Sequence, residues 1–348
     1  MNKKISRIVI GAFSLFVIVS MYFAISERQR AQLDSGYQLV MGTFARVFVI
    51  AKNDAAAHEC IRLALAEINN VDELMSDYKN NSEISRVNKN AYGGPVAVGE
   101  ETFEVLKKSI EFSELTDGAF DVTVGPLVDL FGLEKKTGIA PSAELIAHAK
   151  SKVGYEKLKL DDPNRTVQFT VEGMRLDLGG IAKGYAVDKA IEAARQNGAI
   201  GAMVDIGGDI RCFGEPPQGK KQWLIGLQDP EAAVKSPDGG KILLTLKVAD
   251  AAVATSGDYQ QFAVVGGKRR SHIIDRKTGS SAEGLSSVTI ITDSATDADA
   301  LATAVSVMGP EKGIALIEKL PNTEAILITS GPESKIIKTP TAEKFIKY

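Results

Sequence analysis

Three separated segments carry residue types suited to handling a phosphate ester with a hard metal ion. The first is LDLGGIAKGYAVD at 176–188. A strand that runs into Gly179-Gly180 and then a helix brings free backbone N–H groups and a positive dipole end to one point, where a phosphate oxygen can sit. Lys183 falls in the first helical turn, within reach of the same anion. The spacing is neither GxGxxG nor a P-loop, so Rossmann and Walker readings fail. On local sequence alone, a tight turn in which glycine relieves backbone strain accounts for the segment equally.

The second segment is TDADALATA at 296–304. On a helix, Asp299, Thr303 and Ser306 form a polar stripe while Leu301, Val305 and Met308 share another face. The interleaved alanines 298, 300, 302 and 304 let a second backbone approach closely. A carboxylate and a hydroxyl one turn apart offer two oxygen ligands, which suits magnesium, since it takes its remaining ligands from water and substrate phosphates. Asp297 is accounted for by the helix dipole alone. The third segment, SHIIDRKTG at 271–279, places His272 near a carboxylate. A histidine near neutral pKa can take a proton from an attacking hydroxyl, with Asp275 a candidate to orient it; an ordinary strand histidine is the alternative. His58 and His148 lie in amphipathic helical patterns among polar neighbours and read as surface residues.

With MGTF at 41–44, MSDYKNNSEISRVN at 75–88, DGAFDVTVGPLV at 117–128, VDIGGDIRCFG at 204–214 and ATSGDYQQF at 254–262, these segments resemble the ApbE family of flavin transferases. The matches keep family order from about residue 38 to the C-terminus. The resemblance implies that Asp177 and Lys183 contact flavin dinucleotide, that Gly180 lends a backbone carbonyl to a metal, and that Asp299 and Thr303 are metal ligands. It makes His272 the catalytic histidine and Ile273 a cofactor contact. Met41 and Tyr78 match positions that touch the flavin, Tyr78 with a flat face, although each also reads as a core residue. Ala119, Phe120 and Asp121 match a backbone-rich binding stretch. Gly207-Gly208 reads as a hairpin turn or as pocket lining. One departure stands out: the family commonly has proline after HIID, and Arg276 here implies a looser turn.

The implied reaction is magnesium-dependent transfer of FMN from FAD to a threonine or serine hydroxyl of an acceptor protein, with AMP released. An FAD pyrophosphatase yielding FMN and AMP, or a non-catalytic flavin-binding protein, would use much of the same site. By the resemblance, the acceptors are flavin-carrying subunits of membrane redox complexes or related extracytoplasmic flavoproteins.

The elements that must position these residues are readable from period and caps. ARVFVIA at 45–51 alternates as a strand, and Asn53 caps a helix over about 54–69. Helices follow at 100–115, 143–153 (capped by Ser142), 182–196, 295–308 and 311–319, with EKKTGIAPSAEL a polar loop. Strands are expected at 166–170, 173–178, through 202–292, and at AILIT. Hairpin-rich strands grouped between helices indicate an α+β fold with largely antiparallel sheet, the 31–348 body forming one catalytic domain.

Composition agrees with such a domain: 348 residues, 44% hydrophobic and 24% charged. A net charge of −3 without a basic stripe argues against nucleic acid. Cys60 and Cys212 are compatible with a disulfide, two buried thiols or neither. Lys3, Lys4 and Arg7 precede an apolar run from Ile8 to Ile25, long for a signal-peptide core and just long enough to cross a bilayer. No small-x-small cleavage site or lipidation cysteine follows. Residues 1–30 are therefore expected to be a signal anchor, or alternatively a cleaved signal, with the body outside the cytoplasmic membrane.

Overall fold

Residue alternation in the strand Thr43–Ala51 sorts its side chains between two cores. Ala45, Val47, Val49 and Ala51 point into one hydrophobic cluster, Phe48 and Ile50 into another, as the two-residue period of a strand requires. The next strand, Ala199–Ile206, does the same, with Ala202, Val204 and Ile206 on the first side and Met203 on the second. The structure is a computed structural model that describes residues 12–21, 30–235, 241–258, 262–265, 268–331 and 333–348.

These strands belong to a nine-stranded antiparallel sheet. Its order is Ala31–Asp34, Thr43–Ala51, Ala199–Ile206, Asp209–Gly214, Ala251–Gly257, Leu285–Thr292, Glu324–Thr329 and Ile336–Lys338, with Gln38–Val40 added beside Thr43–Ala51. Helices Asp54–Met75, Ala182–Gln196 and Ala295–Met308 supply the first cluster. A three-stranded sheet, Trp223–Gln228, Ile242–Val248 and Ile346–Lys347, supplies the second. With both faces covered, Leu285–Thr292 is buried at every position.

The expected helices and caps are present, with three differences. Helix 54–75 runs past 69 because Val71 and Met75 continue its buried stripe. Helix Gly125–Thr137 extends through EKKT, since Leu127, Phe131 and Glu134 are buried, and ends only at Gly138 with φ 69°. Residues 173–178 form no strand. Asn88 takes the place of a ladder there, its side chain donating to the Leu176 carbonyl (3.0 Å) and accepting from the Leu176 N–H (2.7 Å), while the Asp177 N–H bonds to the Val122 carbonyl (2.8 Å). Side-chain substitution for a sheet partner satisfies the backbone without a strand. Cys60 and Cys212 are both buried free thiols, one in each core, and burial pushes the Cys212 thiol up to about 12.

Of the apolar run at 8–25, residues 12–21 are helical and exposed; the remainder lies outside the described residues. Among the described residues no helix is long and apolar enough to cross a membrane.

Candidate active site

A cavity of about 1370 Å³ opens beside the first core. It is lined by Met41, Tyr78, Ala119, Phe120, Asp121, Asp177, Gly180, Lys183, His272, Ile273, Asp299 and Thr303, so each residue that the resemblance assigns to catalysis, cofactor or metal reaches one wall or another, while Asp275 and Gly208 do not. Such a volume exceeds the ~300–1,000 Å³ of ordinary small-molecule sites and suits an extended ligand. The hairpin joining 38–40 to 43–51 brings Met41, which is held at φ 51°, a conformation that costs a non-glycine residue roughly 1–2 kcal/mol. Tyr78 is not a core residue: it is 88% exposed at the rim. Gly207-Gly208 forms the hairpin turn between 199–206 and 209–214, both residues at positive φ, and Gly207 also lines the cavity.

The glycine turn and the 295–308 helix meet at close range. A Cβ on Gly180 would lie 2.9 Å from Thr303 Oγ1 and 3.4 Å from the Phe120 ring, so only glycine brings this backbone against the hydroxyl. A Cβ on Gly184 would strike the Ala295 carbonyl at 2.2 Å, and the Gly184 N–H donates to Asp299 Oδ2 at 3.1 Å. Helices 182–196 and 295–308 thus pack nearly backbone to backbone, and Lys183 Nζ stands 3.2 Å from both Asp299 oxygens.

Lys183 also pairs with Asp209, a residue the sequence reading missed. The acid directly after the Gly-Gly turn of VDIGGDI was the available signal. Burial opposes the Lys183 charge, but the Asp209 and Asp299 carboxylates outweigh it and hold the ammonium protonated. Burial, and then the charge of Asp299, push Asp209 up to about 7 against the pull of Lys183. One ammonium between two buried carboxylates leaves the site short of positive charge. Among the described residues no three His, Cys, Asp or Glu side chains converge as a metal site. The oxygen set that does converge, the Asp299 carboxylate, the Thr303 hydroxyl and the backbone at Gly180, fits a hard cation that draws its other ligands from phosphate and water.

A second unforeseen acid holds this arrangement. Asp188 on helix 182–196 accepts from Ser294 Oγ (2.8 Å), Ala295 N (2.9 Å), Thr296 N (2.9 Å), Thr296 Oγ1 (2.6 Å) and Arg211 Nη1 (2.7 Å). It caps the helix that carries Asp299 and Thr303 and ties it to the strand 209–214. Asp297 faces the other way, paired with Lys108 at 3.0 Å and absent from the cavity wall, as the dipole reading of that residue expects. Arg175 is a further omission: it lines the cavity, pairs with Asp129 (2.9 Å) and Asp77 (2.5 Å), and donates to the Gly125 carbonyl (2.9 Å).

His272 sits between the hairpin Phe262–Val265/Lys268–Ser271 and the two-residue pairing Ile274–Asp275/Ser280–Ser281. Asp275 Oδ1 accepts the Lys277 N–H at 2.8 Å inside its own turn. The turn is not loose. Arg276 bonds Asp121 Oδ2 at 3.0 Å and Glu156 at 3.0 and 3.1 Å. Asp121 is consumed by structure: it accepts from Thr123 N (2.8 Å), Thr123 Oγ1 (2.7 Å) and Tyr155 N (3.0 Å) besides Arg276, and burial raises its pKa. What residues 119–121 present to the cavity is therefore chiefly backbone and the Phe120 ring. Asp177 shapes the glycine turn by accepting the Gly179 N–H at 2.8 Å.

A model of the ApbE family matches residues 41–327. An FAD:protein FMN transferase of Vibrio cholerae is 35% identical over 282 residues, covering 80% of this chain and 82% of that protein. One of Treponema pallidum is 32% identical over 315 residues, 86% of each chain. The crystal structure of an ApbE protein from Thermotoga maritima superposes with a TM-score of 0.81 at 33% identity, covering 92% of this chain and all of that one.

Proposed function

This chain belongs to the ApbE family, and from that premise we propose that it is an FAD:protein FMN transferase whose cavity holds FAD and passes its FMN half to a threonine or serine hydroxyl of an acceptor flavoprotein. The observation that supports this most is the meeting of Lys183, Asp299, Thr303 and His272 on one cavity large enough for a dinucleotide. FAD lies with its pyrophosphate at the glycine turn, beside Lys183. His272 takes the proton of the incoming hydroxyl. The hydroxyl oxygen bonds to the FMN-side phosphorus, the bridging P–O bond breaks, and AMP leaves with the bridging oxygen.

Asp299, Thr303 and the Gly180 carbonyl would hold magnesium, which would supply Lewis-acid charge to the reaction. The surplus of buried carboxylate around Lys183 supports a cation there. The Tyr78 ring at the rim and the backbone of 119–121 orient the flavin. The acceptors we propose are flavin-carrying subunits of membrane redox complexes or related extracytoplasmic flavoproteins.

Incubation with FAD, magnesium and such an acceptor is expected to raise the acceptor mass by one FMN, read by intact mass spectrometry. Release of free FMN without acceptor labelling would instead identify a pyrophosphatase, and binding without turnover a flavin carrier.

We also propose that residues 1–30 anchor the enzyme in the cytoplasmic membrane, with the body on the acceptor's extracytoplasmic side. Deleting them is expected to leave a soluble protein with unchanged transfer activity. The first described strand begins at Ala31, and the ion pair lost among the described residues, Arg30–Glu215, is partly exposed and worth about 0–1 kcal/mol. A truncated chain that fails to fold would show that this segment belongs to the body.

A further inference from the structure

His272 lies between the end of strand Lys268–Ser271 and a short hairpin, with Ser281 Oγ donating to the Ser271 carbonyl at 2.6 Å and the Ile273 N–H to Ser271 Oγ at 3.1 Å. The hairpin's ladder is two residue pairs, Ile274 with Ser281 and Asp275 with Ser280, extended by the Ala282 N–H donating to the Ile273 carbonyl at 2.8 Å. Pairings this short are marginal in water, so contacts at the tip of the hairpin add to what holds the segment that begins at His272.

Arg276 makes such contacts. Its guanidinium bonds the fully buried carboxylate of Asp121 and forks onto Glu156. It stacks 5.0 Å from the centre of the Tyr155 ring and lies flat on Gly118, where a Cβ would come within 2.2 Å of its Nε. The Arg276 side chain is only 15% exposed. The next residue repeats the connection, Lys277 pairing with Asp117 and its carbonyl accepting from Lys150 Nζ at 2.5 Å. Arg276 and Asp121 are 155 residues apart in the chain, yet Asp121 ends the stretch 119–121 that walls the cavity beside the glycine turn, where the Phe120 ring lies against Gly180.

We propose that Arg276 is a positioning residue that locks the His272 hairpin to the 117–121 wall, setting the distance between the proton-accepting ring and bound FAD. This rests on the reading of His272 as the base. A guanidinium suits the task because its planar fork engages two carboxylates and an aromatic face at once, which an ammonium does not reproduce. Displacing a catalytic group by about 1 Å through a change away from the chemistry costs on the order of 100-fold in rate.

The test is a double-mutant cycle of Arg276→Ala and His272→Ala in the full chain, measured as kcat and KM for FAD in acceptor labelling, with thermal unfolding followed in parallel. Arg276→Ala is expected to lower kcat by about 10- to 100-fold with KM for FAD unchanged, and to have no further effect in the His272→Ala background. Arg276→Lys should recover part of the loss, because it keeps a charge on Asp121 and gives up the fork. If Arg276→Ala does not fold, Arg276→Lys carries the same cycle with a smaller drop.

Parent kcat in the folded Arg276→Ala variant would overturn the proposal. So would an equal drop with and without His272, or a rise in KM alone, since either means that Arg276 acts on the fold or on FAD binding. Near-parent turnover of His272→Ala by itself would reject the base assignment, and the same cycle reports that separately.

Discussion

His272→Ala is expected to reduce FMN transfer by about 10²- to 10⁴-fold, the usual loss when a general base is removed, while FAD binding stays near that of the parent. His272 lines the same cavity as Ile273 and the glycine turn. Proton abstraction belongs to the transition state and contributes little to ground-state affinity, so kcat should fall and the dissociation constant for FAD should not. Single-turnover labelling of an acceptor, with FAD binding followed by fluorescence, separates the two. Undiminished labelling would remove His272 from the reaction path.

Asp299→Ala should be the most damaging change at the cation site. The carboxylate is 2% exposed, reaches Lys183 and the Gly184 N–H, and stands one turn from Thr303. Its removal takes away the charged ligand and the partner that helps aim Lys183, so turnover should nearly vanish at any magnesium concentration. Thr303→Ala loses one neutral oxygen that water can replace, and its activity should recover as magnesium is raised. Asp297→Ala is the control: paired with Lys108 on the far side of the helix, it should cost roughly 0.3–1 kcal/mol of stability through the helix dipole and leave the magnesium dependence as in the parent. Turnover against magnesium for the three variants decides the matter. A shifted metal dependence in Asp297→Ala alone would mean that the other acid faces the cation.

The local periods in the chain were enough to find most elements that carry the site. Helix 182–196 after a glycine pair, helix 295–308 with Asp299 and Thr303 on one stripe, and the alternating strand at 45–51 follow from spacing alone, because caps and amphipathic faces are properties of neighbouring residues. The stretch 173–178 misled for the converse reason. Its apolar alternation looks like a strand, but the groups that satisfy its backbone are Asn88 and Val122, far away in sequence.

What only the tertiary structure decided is the set of charges that meet across long separations. Lys183 and Asp299 are 116 residues apart, and a polar stripe and a glycine turn each announce themselves locally without saying that they face each other. Asp188 and Arg175 carried no local signature, and Asp209 only the weak one of following a glycine turn, where an acid is ordinarily solvated; a specific partner makes each consequential, and for Asp209 burial as well. Arg276 shows the limit most clearly. Where sequence alone suggested a looser turn, packing against Gly118, Tyr155, Asp121 and Glu156 turns the same residue into the tie that holds the histidine hairpin in place, because the strength of a charged side chain's contacts depends on how much water its neighbours exclude.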